Sequence, residues 1–84
     1  MINLADIKDN IKSIRINKTS GNYEIVFKEG VLDPDINESI HSIEYTDIDR
    51  LTQDLQGLDL IIESISMILD DLRINPGKEI DIKI

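Results

Sequence analysis

Seventeen carboxylates and one imidazole are the side chains through which this sequence brings acid–base or metal chemistry within reach. Helical spacing puts Asp59 and Glu63 on one face, and Asp70 adjoins Asp71 farther along. Two carboxylates divide into acid and base only where an apolar pocket keeps one of them protonated. Nothing around these pairs suggests such a pocket. Their spacing is that of a solvated helix face, and no enzyme is expected. His41 is the lone histidine, without a second nitrogen ligand for zinc or a nucleophile to activate; Ser39 and Ser42 flank it but match no nucleophile motif. Cysteine is absent, which removes disulfides, thiolate metal sites and a thiol nucleophile. Gly21, Gly30, Gly57 and Gly77 are scattered, so no glycine-rich phosphate loop forms. No cofactor is expected.

The run from Asp33 to Glu44 is similar in spacing to a calcium loop of the EF-hand family. Asp33, Asp35, Asn37 and Glu44 fall at its positions 1, 3, 5 and 12, and Ile40 stands at position 8, where that family carries an aliphatic residue. The sixth position needs glycine for the sharp turn and holds Glu38 instead. The preceding residues read as a strand rather than an entering helix. Solvated turn chemistry is the expectation, with no metal bound.

The charge balance narrows the partners. Net charge is −8, and it is uneven. Residues 1–30 carry five cations against four acids, whereas residues 31–84 carry thirteen acids against Arg50, Arg73, Lys78 and Lys83. Such a surface repels phosphates and attracts basic patches, so direct nucleic-acid binding is not expected. One Phe, two Tyr and no Trp also leave few platforms on which bases could stack. The N-terminal residues lack a basic stretch followed by an apolar run, so no signal peptide is read there. The longest apolar run, Leu60 to Ile62, is far short of the ~20 residues that span a bilayer. A cytoplasmic protein without membrane contact is the expectation.

The elements that would carry these residues follow from periodicity. At 84 residues there is room for one domain, 1–84, with an aliphatic core drawn from eighteen Ile and eight Leu. Asn3 caps a short helix over 3–12, with Leu4, Ile7 and Ile11 on one face. Residues 12–18 and 23–28 form a hairpin around Ser20, Gly21 and Asn22, with Tyr23, Ile25 and Phe27 on one strand face. Residues 29–37 read as a loop. Residues 38–45 favour a strand through their Ile, His, Ser and Tyr content, a helix from Pro34 being the alternative. Ile48, Leu51, Leu55, Leu58, Ile62, Ile65, Leu69 and Leu72 then repeat at alternating spacings of three and four, which predicts one long helix over about 47–73. Asn75, Pro76 and Gly77 end it. The tail places Ile80, Ile82 and Ile84 on one face of a last strand. The expected class is α+β: a small antiparallel sheet, in the order αβββαβ, packed on one long C-terminal amphipathic helix.

The second half of that helix broadens its apolar stripe. Leu60, Ile61, Ile65, Ile68 and Leu72 are expected to meet a second copy in a homodimer, or else the first helix and loops cover them. The acids Asp47, Asp49, Asp54, Asp59, Glu63, Asp70 and Asp71 are expected to face a basic protein, several of them as a row of phosphate substitutes. In size, acidity and mixed α/β make-up the chain resembles small phage-encoded inhibitors of host nucleases and defence complexes, such as anti-CRISPR proteins. That resemblance implies an inhibitor that mimics DNA. The alternative is an assembly subunit that homo-oligomerises through the seam of residues 48–72.

Overall fold

A computed structural model describes residues 2–83 of the chain. A four-stranded antiparallel sheet is built from β1 (Ile11–Ile16), β2 (Tyr23–Asp33), β3 (Glu38–Tyr45) and β4 (Glu79–Asp81), in the spatial order β3-β2-β1-β4. Helices α1 (Ile48–Gln56) and α2 (Ile62–Ile74) lie between β3 and β4 in sequence, and their leucines share one core with the sheet. The α+β class is as the periodicity predicted. The order differs from αβββαβ in one place, since two helices stand between β3 and β4 where one was expected.

The register explains where the core forms. Ile80 pairs with Ile14, Ile14 with Ile25, and Ile25 with Ile43, so four isoleucines line up across all four strands. β-Branched chains hold few rotamers and pack well on a pleated surface, so the row is stiff as well as apolar. Ile14 and Ile25 are fully buried beneath Leu51, Leu55, Leu58, Ile65 and Leu72. Neighbouring residues point the other way, and there the strands present Ser13, Arg15, Glu24, Ser42 and Glu79.

The long helix of the sequence reading is two helices. A continuous rod over these residues would run about 40 Å, longer than the 35 Å of the whole molecule. Breaking it at residues 57–61 allows both halves to cover the small sheet. Amides of Leu58 and Asp59 turn back to the carbonyls of Leu55 and Gln56 at 3.0 Å, a tightened last turn. Asp59 then adopts a left-handed backbone, φ 66°, which aspartate tolerates better than most side chains. Lys8 closes over it with an ammonium–carboxylate contact of 3.2 Å. The break explains one exception in the heptad pattern, Ile62, which holds a seam position but is about half exposed; Ile48, equally exposed, is the first residue of α1.

Other boundaries also move. The first helix is a 3-10 segment, Leu4–Asn10, kinked at Ile7. Asn3 caps it as expected, its side chain accepting the Ala5 amide, but Ile11 joins β1. The cause is Asn10, whose side-chain amide donates to the Glu29 carbonyl while its oxygen accepts the Glu29 amide, both at 2.9 Å. That reciprocal pair continues the ladder beside β2 where β1 has not yet begun. Residues 29–33, read as loop, are strand, because Val31, Leu32 and Asp33 pair with Ile40, Ser39 and Glu38 of β3. Gly30 marks an irregularity between Val26 and Val31 rather than a chain break; a Cβ there would lie 2.5 Å from Ser39 Oγ. The strand reading of 38–45 holds. Ile80 is half-buried within β4 and Ile82 is buried just beyond its end; Ile84 lies outside the described residues.

Two stability measurements test this construction. Ile25→Val should lower the free energy of unfolding in urea by about 1 kcal/mol, and by more than the same change at the half-buried Ile80. Asp59→Val should cost about 1–2 kcal/mol because a β-branched side chain resists positive φ, whereas Asp59→Asn should fall within about 0.5 kcal/mol of wild type.

Candidate functional site

The seven carboxylates singled out from the sequence do not form one row, because the break at 57–61 divides them. Asp47 is the N-cap of α1 and accepts the amides of Asp49 and Arg50. Asp54 is half-buried against β3, accepting the Tyr45 hydroxyl at 2.7 Å and Arg50 Nε at 3.4 Å. Burial, then the Asp54 carboxylate, push the Tyr45 phenol well above its usual range. Asp59 pairs with Lys8, and Asp70 pairs with Arg73 across one helical turn. Asp71 accepts Lys78 Nζ at 2.7 Å and Asn75 Nδ2 at 3.1 Å. The Lys78 bond, followed by the Asn75 bond, holds its carboxyl below the usual carboxylate range. Acid at a helix C-terminus opposes the macrodipole; here Asp71 fastens the 75–78 turn to α2. Asp49 and Glu63 remain exposed, with no ion pair among the described residues.

The expected oligomer face divides in the same way. Ile65 and Leu72 are buried inside the chain, under 2% exposed, so they belong to the core and not to a surface. Leu60 and Ile68 are half-buried against that core. Of the five, only Ile61 stands fully out, and it is joined by Ile62, Met67 and Ile74, all three outside the expected face. Helical periodicity places Glu63, Met67, Asp70 and Ile74 on the side of α2 opposite Ile65 and Leu72, and Asp49, Gln53 and Gln56 opposite the leucines of α1.

The calcium spacing is undone by the hairpin. Asp33 and Glu38 pair at its closed end, where Asp33 Oδ1 accepts the Asp35 amide and Asn37 takes positive φ. Glu44 lies six residues along the extended β3, roughly 20 Å from Glu38. The oxygens of positions 1 and 12 do not converge. Among the described residues, no group of three or more His, Asp or Glu is placed to hold a metal ion.

Sequence reading missed the buried ion pair on the open sheet face. Glu24, only 5% exposed, accepts Arg15 Nε at 2.8 Å, Asn17 Nδ2 at 3.3 Å and Ser42 Oγ at 3.0 Å. Glu79 accepts the Ser13 hydroxyl and lies 3.7 Å from Arg15. Burial pushes the Glu24 carboxyl up, but the bonds from Arg15, Asn17 and Ser42 together bring it below its ordinary value. A general acid needs the opposite shift. The arrangement therefore acts as a clamp across β4, β1, β2 and β3. The signal was in the hairpin register, since closing the turn at 17–22 sets Arg15 opposite Glu24. Beside the clamp, the two turns at this end of the sheet flank an open pocket of about 360 Å³ lined in part by Arg15, Lys18, Glu24, Lys78 and Glu79.

No described helix is long and apolar enough to cross a membrane. Comparison with family models, curated proteins and solved structures returns no match for the chain.

The clamp predicts a pH dependence. A carboxyl whose pKa is lowered by folding stabilises in full above its unfolded value, 4.5, and loses that contribution as pH falls through the lower folded one. Glu24→Gln should cost about 1–2 kcal/mol at neutral pH. It should also flatten the acid limb of a urea-midpoint profile taken from about pH 7 to about pH 3.

Proposed function

We infer that the chain is a non-enzymatic, acidic protein-binding module whose helical layer docks on a basic surface of another protein. The observation that carries this reading is a repeated pair. Each helix opens with a half-exposed isoleucine beside a carboxylate that has no ion pair among the described residues: Ile48 with Asp49 on α1, Ile62 with Glu63 on α2. An apolar contact ringed by charge is the composition of a docking patch, in which the apolar part supplies burial and the charge selects the partner. Asp49 and Glu63, with Asp47 beside them, are the residues assigned as phosphate substitutes; Asp54, Asp59, Asp70 and Asp71 support the fold through their internal partners. Steered by a net charge of −8, such a module suits a phage-type inhibitor that imitates DNA toward a basic host protein in the cytoplasm.

A second reading is favoured by Ile61, Met67 and Ile74, each more than 60% exposed. It is homodimerisation through the outer side of α2, an assembly role in which acidity serves solubility.

Affinity capture from a host lysate, with sedimentation at micromolar concentration, separates the two. Asp49→Lys together with Glu63→Lys should abolish capture and leave the circular dichroism unchanged, and added salt should weaken wild-type capture. Capture that survives both changes counts against docking by charge. A dimer lost on Met67→Asp favours assembly instead.

A further inference from the structure

One border of the sheet is left unpaired along β3. β3 stands at the edge, and its ladder runs to β2 alone, so alternate amides and carbonyls along its eight residues point away from the sheet. Exposed edges are usually blunted by shortness, lysine or proline. The opposite border follows that rule, since β4 is three residues long. β3 is eight residues long without lysine or proline; its edge carries Glu38 and Glu44, and its ladder to β2 is interrupted between Val26 and Val31.

Where β3 turns into α1, a groove of about 220 Å³ opens between Ile43, Glu44 and Tyr45 on one side and Asp47, Arg50 and Asp54 on the other. Asp54 is engaged by Tyr45 and Arg50. Glu44 takes the Ser20 hydroxyl on Oε1, and Asp47 takes two amides on Oδ1. Each has a second oxygen with no partner among the described residues. The groove thus pairs an apolar wall with two part-free carboxylates, which suits the aliphatic stem and cationic head of Lys or Arg.

We propose that the β3 edge and this groove take an extended, basic segment of a partner protein as a fifth strand. Main-chain bonds to β3 supply affinity, and the groove reads one cationic side chain of the added strand. A second copy of the chain fits poorly, because antiparallel self-pairing centred on His41 sets Glu38 opposite Glu44 twice. The inference shares a basic partner with the helical-face reading and, apart from Asp47 at their border, uses a different surface.

The test titrates the intact protein with a capped peptide of about seven residues, alternating Lys and Thr, and with the same peptide N-methylated at alternate residues. Amide chemical shifts and hydrogen exchange are the readouts. Saturable shifts should gather at residues 38–47, and exchange of β3 amides should slow. Binding should weaken at least about tenfold for the N-methylated peptide and for Glu44→Lys with Asp47→Asn, the asparagine retaining the helix cap. Equal binding of the N-methylated peptide overturns the proposal, as does the absence of any binding. Shifts gathered around Asp49 and Glu63 overturn it while leaving the helical-face reading intact. Shifts at β3 that persist in Asp49→Lys/Glu63→Lys, with lysate capture also retained, sink that reading and leave this one standing. Protection of β3 that rises with protein concentration alone assigns the edge to a second copy and overturns the proposal.

Discussion

The row Ile80–Ile14–Ile25–Ile43 is the constraint from which the rest of the molecule follows. With no tryptophan and one phenylalanine, the chain has few side chains that fill volume alone, so it must align many small contacts. Alignment fixes register, because a slip of one residue turns every isoleucine of a strand to the wet face. It also leaves one dry face to be covered. The leucines of α1 and α2 do this, and Tyr23, whose hydroxyl donates to the Leu69 carbonyl at 3.1 Å, ties the sheet to α2.

Burying one face of a small sheet limits what can lie over it. The heptad seam asks for a straight rod, and the sheet is too short to serve one. Folding the rod at Asp59 resolves the conflict in favour of burial: Leu58 and Ile65 enter the core on either side of the break, and Ile62 is released to solvent. The same break scatters the carboxylates and recruits several of them inward. Asp54 supports Tyr45, and Asp71 fastens a turn. What looked in sequence like one decorated surface divides between fold maintenance and recognition.

This shows why some of the structure was legible in the sequence and some was not. Alternation in β2 and β4, the strand character of 38–45 and the three–four rhythm of the leucines are local signals, and each produced the right element type. The length limit on a helix is a property of the sheet beneath it, invisible in the heptads. Gly30 reads as punctuation in sequence, yet in space it makes room for Ser39 and His41. Asn10 gives no pattern signal, although its side chain decides where β1 begins. The Glu24 clamp was within reach, since the alternation already put Glu24 on the open face and the hairpin turn set its opposite number. Asp49 and Glu63 stand outward as a solvated helix face does, whereas Asp54, Asp59, Asp70 and Asp71 have partners within the fold that helical spacing does not show.

The strand order carries a consequence for how the chain assembles itself. β1, β2 and β3 form a meander whose neighbours are close in sequence, while the Ser13–Glu79 contact that secures β4 spans 66 residues. Local loops close at little entropic expense, and distant ones wait until intervening chain is ordered. The meander is thus the early-forming part. β4, three residues long and delivered by the turn that Asp71 and Lys78 hold, is the piece that arrives last and opens first.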